Sequence, residues 1–362
     1  MESTHRLRNI KVSGFKSIRA LDLPIQSLNV LIGANGSGKS NFILLFRFIR
    51  ELVEERMQVF VARKGGADRV LHYGSKVTQE LTINIDTTPN HYACKLVPAQ
   101  GDKLVFEYEY CGFDTTYRYD ENINQTLTES DLADYSRKKK FGIGKYVYNI
   151  LKEWRVYHFH DTSDSAKVKK TSKISDADYL REDAANLGAF LYLMQQKHPR
   201  HYQRIVKTVQ LVIPFFKDFN LRPTAENQDF IRLAWTNKDS DFPFDADDLS
   251  DGSLRFICLA TLLLQPELPN LILLDEPELG LHPSAITLLA SLLQSASAKT
   301  QIIVATQSEK LVNEMLPENV IVVELEDGAS TFKRLTAGQL GGWMDEYQLG
   351  ELWNQNVFGG RP

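Results

Sequence analysis

The chain has 362 residues, enough for roughly two domains and a large buried core. Lys plus Arg number 42 against 46 Asp plus Glu, a net charge of −4, so no global charge draws the chain to nucleic acid or anionic membrane. Cys94, Cys111 and Cys258 lack CxxC or Cys/His metal spacing, and no apolar run approaches the roughly eighteen residues of a membrane span. These features predict a cytoplasmic protein of a reducing compartment, with no disulfide framework and no membrane partner.

Leu7 to Val12 alternates apolar and polar residues, and Phe15 to Ile18 and Leu21 to Leu23 continue in short extended pieces, predicting a small sheet. Leu28 to Ile32 is a buried-strand run leading into Gly33, Ala34, Asn35, Gly36, Ser37, Gly38, Lys39 and Ser40. That octet has the spacing G-x-x-x-x-G-K-[ST]: glycines let backbone N–H groups wrap phosphate oxygens, the lysine reaches the outer phosphates and the last hydroxyl holds Mg²⁺. Phe42, Leu45, Phe46, Ile49, Val53 and Met57 then recur at helical spacing, and Gly65-Gly66 reads as the helix end. A strand, a glycine loop and a helix N-terminus in this order form an anion site.

Strand-like runs from about Leu81 to Tyr119 predict an antiparallel meander. Residues 120 to 175 are polar, with basic runs at 137–140 and 167–170 that read either as solvated faces or as contacts to a phosphate backbone. Residues 183 to 213 read as helices, with Ala189, Leu191, Leu193, Ile205, Val209 and Val212 as core candidates. His158, His160, His198 and His201 lack metal-ligand spacing and are assigned structural or surface roles.

Leu249-Ser250-Asp251-Gly252-Ser253-Leu254-Arg255 precedes an apolar helix and reads as a second phosphate-binding N-terminus without a lysine. Leu271 to Leu274 is a buried parallel strand closed by Asp275 and Glu276. Asp275 is placed to hold Mg²⁺, and Glu276 to polarise an attacking water.

The phosphate loop with Asn41, the Ser250–Ser253 signature, Asp275 to Pro283 and Gln301 to Ser308 together resemble the RecF/SMC-like branch of ABC ATPases. Within that branch the chain resembles the compact AAA-type ATPases associated with overcoming-lysogenization-defect (OLD) nucleases and phage defence. Leu349 to Trp353 and Gly359 to Pro362 are shared with that group. The resemblance covers roughly residues 5–60 and 245–330.

It implies an α/β P-loop NTPase core of ABC type with an antiparallel edge and an inserted, mainly helical lobe. The expected boundaries are 1–119 and 241–335 for the two parts of the core, 120–240 for the lobe and 336–362 for a tail suited to partner docking. ATP and Mg²⁺ are the implied cofactors: Gly33 to Asn41 on the phosphates, Ser40 and Asp275 on the metal, Glu276 as catalytic base with Lys39 and Gln307 beside it. Ser250, Gly252 and Ser253 would reach the γ-phosphate of ATP bound to the opposite protomer of a head-to-tail dimer. Asp251 and Ser253 depart from the usual LSGGQ pattern, and Gln307 stands where many ABC proteins have a histidine, so slow or conditional hydrolysis is expected.

The leading functional expectation is an ATPase switch that forms a dimer and controls a separate effector or nuclease in anti-phage defence. The residues after Glu276 are fewer than the roughly 100 that a fused TOPRIM domain requires. A RecF-like DNA-repair ATPase that binds DNA directly is the alternative. A membrane-transporter subunit fits the spacing least.

Overall fold

The computed structural model describes residues 6–361 except 88, 115–117, 140, 141 and 241. Lys140 of the first basic run and Pro362 of the C-terminal motif lie outside the described residues. The chain starts with a hairpin, β1 (Asn9–Phe15) and β2 (Ile18–Pro24), and then enters β3 (Leu28–Ile32), all five of whose residues are buried. The predicted meander is β4 (Leu81–Asp86), β5 (Asn90–Ala99), β6 (Lys103–Asp114) and β7 (Arg118–Asn122). It does not stand alone, because β1 pairs with both β2 and β4, giving one antiparallel sheet of order β2-β1-β4-β5-β6-β7.

After β8 (Trp154–Tyr157) come five short strands: β9 (Ser172–Lys173), β10 (Phe216–Phe219), β11 (Phe230–Ile231), β12 (Ala234–Asn237) and β13 (Pro243–Asp245). They pair as two small patches, β9 with β11 and β12 with β10 and β13. Then follow β14 (Leu271–Asp275), β15 (Gln301–Ala305), β16 (Val320–Glu326) and β17 (Ala329–Arg334). The second large sheet has the order β17-β16-β3-β15-β14-β8, parallel throughout except for the β16–β17 hairpin.

Alternation along its strands sends side chains to two cores. Val30, Ile32, Ile272, Leu274, Ile302 and Val304 join helices from residues 187–264 and 283–297, whereas Leu31, Leu271, Leu273, Ile303 and Ala305 join the antiparallel sheet. The helix Lys39–Val53 lies in the second core and buries Phe42, Leu45, Phe46, Phe48 and Ile49, a stripe too wide for a surface helix.

Three sequence expectations change. The helix after the phosphate loop stops at Val53 and a second one, Met57–Arg63, runs to Gly65-Gly66, because Glu55 turns left-handed between them (φ 58°). The span 120–240 holds more helix than strand, as expected, but is not set apart. It supplies β8 to the parallel sheet, and Tyr157, Leu187, Ile205, Val209 and Trp235 share one core with β3 and β14. β8 went unseen because four residues on a sheet edge leave too short a pattern to read. Among the helical core candidates, Ala189, Leu191, Ile205 and Val209 are buried, while Leu193 and Val212 are partly buried at the margin.

Gln301, buried at the start of β15, fastens the N-terminal hairpin to the parallel sheet: its Oε1 accepts from Leu7 N (2.7 Å) and its Nε2 donates to Leu7 O (2.8 Å). Gln301→Leu orphans both groups, at about 1–3 kcal/mol each. Chemical denaturation should show the stability falling by that order, and an unchanged midpoint would refute the role.

Candidate nucleotide site

β3 delivers Gly33 at its C-terminal end and the helix Lys39–Val53 carries the loop away, so the glycine loop ends on free helical amides. Gly38 has φ 116°, and a Cβ there would fall 2.0 Å from Ser330 Oγ, so only glycine fits. Ser330 Oγ donates to Ser37 O (2.6 Å) and accepts from the Ser17 hydroxyl (2.7 Å), which fixes the loop to β17 and to the β1–β2 turn. Asn41 belongs to this bracing: its amide donates to Ser17 Oγ (2.8 Å). Ala34, Asn35, Gly36 and Ser40 are exposed, whereas Gly33, Ser37, Gly38 and Lys39 are buried.

Lys39 donates to Gly33 O and to Ala34 O (3.0 Å). Burial pushes its ammonium pKa down, against the pull of Glu276, Asp275 and Glu278. The three carboxylates therefore converge on the phosphate-loop lysine, as the parallel β3–β15–β14 order dictates.

Asp275 closes β14, and burial, with repulsion from Glu276, pushes its pKa up. Glu276 leaves the strand left-handed at φ 42°, held by its N–H on Ala305 O (2.7 Å). A bulky residue there marks local strain of the kind found at working sites. Gln307, at the end of β15, donates through Nε2 to both Glu276 Oε1 (2.6 Å) and Asn35 Oδ1 (2.7 Å), joining the acid to the loop tip. Glu278 is buried and accepts from Thr306 Oγ1 and from Gln307 N (3.3 Å), and burial raises its pKa.

The signature segment caps the helix Asp251–Leu264. Ser250 Oγ accepts from Ser253 N (3.2 Å) and donates to Ser253 Oγ (2.8 Å), while Asp251 adds a favourable charge to the first turn. Gly252 touches the turn after Glu276 so closely that a Cβ would meet Gly280 O at 2.3 Å.

Arg255, one helical turn on, was quoted in the sequence motif but given no role there. Its guanidinium donates to Phe159 O (3.1 Å), His160 O (2.9 Å) and Leu279 O (2.6 Å). His160 in turn reaches Asp275 O through Nε2 (2.7 Å). The signature helix, the strand-end acids and the segment after β8 are thus one hydrogen-bonded unit. Arg255 was within reach of sequence reasoning, since it follows the signature at fixed offset; His160 carried no local signal.

The tail also meets the site. Trp353 is fully buried and its indole N–H donates to Gly360 O, while Gly360 N donates to Glu324 Oε1 (2.9 Å). A Cβ at Gly360 would sit 3.6 Å from Gly33 Cα. Gly350 N on Asn313 Oδ1 (2.6 Å) ties the same tail to the helix Glu309–Asn313 that follows Gln307.

The residues fit a nucleotide and Mg²⁺. Ser37 Oγ is buried without a partner inside the loop, and the Asp275–Glu276 pair has a surplus of negative charge. Among the described residues no cluster of three or more His, Cys, Asp or Glu could hold a metal alone. That suits Mg²⁺ bound through one hydroxyl, one carboxylate and phosphate oxygens. No helix among the described residues is long and apolar enough to cross a membrane.

The family described as "AAA domain, putative AbiEii toxin, Type IV TA system" (AAA_21) matches residues 28–313. The chain is 23% identical over 377 residues to the "Old nuclease" of Escherichia phage P2, covering 93% of this chain and 62% of that protein, so it spans about three-fifths of the relative's length. In fold it is similar to an SMC head bound to the C-terminal winged-helix domain of ScpA (TM-score 0.57, 16% identity, 94% and 99% coverage). It is also similar to the Pyrococcus furiosus SMC head with an extended coiled coil bound to the C-terminal domain of ScpA (TM-score 0.52, 14% identity, 94% and 99% coverage). These likenesses bear out the expected ABC-type P-loop fold.

Asp275 carries a pH signature. A carboxyl whose folded pKa is raised above its unfolded value favours the fold fully below the unfolded pKa and loses that contribution as pH rises through the folded pKa. Asp275→Asn should therefore raise the melting temperature of the nucleotide-free protein by a few degrees at pH 7.5, with the gap closing toward pH 4. A lower melting temperature at pH 7.5 would mean that the carboxylate is not strained by burial.

Proposed function

The chain belongs to the AAA_21 family, and on that premise we propose that it is a P-loop ATPase of the SMC and OLD type that hydrolyses ATP to drive a dimer switch. The observation that carries this reading is Gln307, whose amide bridges Glu276 and the loop residue Asn35. Bound Mg²⁺ would neutralise charge developing on the γ-phosphate, with Ser40 and Asp275 as its protein ligands. Lys39 and the loop amides would hold the β- and γ-phosphates, Glu276 would take a proton from the attacking water, and Gln307 would orient that water. A neutral amide cannot carry a proton away, which supports slow turnover.

Ser250, Gly252 and Ser253 would complete the site of a second copy, sandwiching two ATPs. The Arg255 unit supplies the coupling: loss of the γ-phosphate at the Glu276 turn would pull on Leu279 and Gly280, against which the signature helix is packed. The switch would act on a separate effector or nuclease in anti-phage defence. The likeness to the Old nuclease supports a nucleic-acid context.

Direct DNA binding through the two basic runs has less support. Arg137 pairs with Glu55 and Asp134, Lys138 with Asp134, Lys139 with Glu121, Lys167 with Asp183 and Lys169 with Asp247. Lys170 donates to Asp164 O.

Lys39→Ala should abolish the Mg²⁺-dependent binding of ATP at the phosphate loop, read by calorimetry. Glu276→Gln should keep binding, slow turnover by about 10²–10⁴, and accumulate an ATP-dependent dimer in native mass spectrometry. Turnover equal to that of the parent would remove Glu276 from the mechanism. A monomer that retains ATP would remove the sandwich.

In the same assay, Arg255→Ala should bind ATP but lose the dimer. A full dimer would show that the signature helix needs no link to the Glu276 turn.

A further inference from the structure

A cavity of about 630 Å³ lies on the flank of the phosphate-loop helix, walled by that helix, by Met57–Arg63, by the end of β8 and by residues 179–183. Arg47, Arg50, Arg63, Lys64, Arg181 and His158 line it, with Glu51, Glu182 and Asp183. Each acid is already matched: Glu51 by Arg56 (2.8 Å), Glu182 by Arg50, and Asp183 by Lys167 (3.0 Å). Arg50 also holds Glu54, and Arg181 is held by Asp176 (2.9 Å).

Three cations are left over. Arg47 and Arg63 make no hydrogen bond or ion pair among the described residues, and Lys64 makes only a cation–π contact to Phe60 (5.6 Å). Arg47 is half-buried, and burial depresses its pKa, which costs stability unless an anion repays it. His158 Nδ1 is a buried polar atom without a partner on the same wall. Tyr179, 49% exposed, presents a ring at the rim, backed by Arg155 at 5.1 Å.

Unmatched guanidinium and ammonium groups around a concave wall with a free aromatic face are the chemistry that takes a phosphate and stacks a base. The volume falls within the roughly 300–1,000 Å³ of small-molecule sites. Arg47 lies eight residues beyond Lys39, about 12 Å along the helix at 1.5 Å per residue, so this is not the phosphate-loop site.

We propose that this cavity is a second nucleotide site, which binds a phosphomonoester on Arg47, Arg63 and Lys64 with a base against Tyr179. The ligand is a free nucleotide or the 5′-phosphorylated end of a nucleic-acid strand. The inference does not depend on ATP hydrolysis, and its test silences the phosphate loop.

The probe is a 5′-phosphorylated trithymidylate with a 3′ fluorophore, followed by anisotropy on full-length Lys39→Ala protein. It should bind, and both the 5′-hydroxyl probe and the exposed double change Arg63→Glu/Lys64→Glu should weaken binding about tenfold or more, as loss of a charge-assisted hydrogen bond demands. Thermal melting checks that the double variant is folded, and Tyr179→Ser gives an independent reading of the stacking contact. Displacement by AMP would identify a free nucleotide as the ligand, and retention against AMP would identify a strand end. No binding, or equal binding of the 5′-hydroxyl probe or by the charge-reversed protein, would overturn the proposal.

Discussion

Three carboxylates gathered at one strand end around a single buried ammonium form the constraint on which the site depends. Asp275, Glu276 and Glu278 all act on Lys39, and Asp275 and Glu278 are both disfavoured as anions by burial. Such an excess of negative charge is costly in a fold with nothing to bind and is well matched to a divalent cation carrying phosphate. The surroundings are arranged to bear that cost. Thr306 and the Gln307 N–H hold one oxygen of Glu278, whose Oε2 stays buried without a partner, Gln307 holds Glu276, and β15 grips the turn through Ala305 O. Stability is thus exchanged locally for readiness to bind.

That arrangement extends to the signature helix through Arg255, whose three carbonyl acceptors belong to two different segments. Carbonyl oxygens are a demanding choice of partner. They are fixed to the backbone, so the guanidinium can move only if the Leu279 turn and the segment after β8 move with it. The signature and the acids are therefore tied together within the chain, as the proposed opening and closing between protomers would require.

The residues that the fold gathers at the candidate site were legible in the sequence, and their scaffolding was not. Gly33 to Ser40 and Leu271 to Glu276 announce themselves because phosphate binding and buried parallel strands each demand a contiguous pattern. β8 is four residues long, and His160 and Ser330 act only through partners distant in the chain, so neither spacing nor periodicity marks them. Asn41 carries a contact that its place beside the loop did not foretell: its amide donates to Ser17. The basic runs, read either as solvated faces or as phosphate contacts, carry exposed ion pairs in the fold. Charge counted along the chain takes no account of the acids that folding brings alongside, while the cations left unmatched, Arg47 and Arg63, sit in no run at all.

The position of β3 has a consequence for how the protein is made. Its two neighbours in the sheet are β15 and β16, so residues 28–32 have no strand to pair with until residues 301–326 have left the ribosome. The antiparallel sheet, by contrast, is complete once β7 is synthesised. Translation therefore leaves a five-residue strand with four aliphatic side chains and the glycine loop beyond it unprotected for most of the chain's length. Non-local parallel pairing of this kind folds slowly and exposes sticky edges. The candidate nucleotide site shares this timing, because Asp275 and Glu276 take their places beside the loop only once β14 and β15 have joined β3 in the sheet.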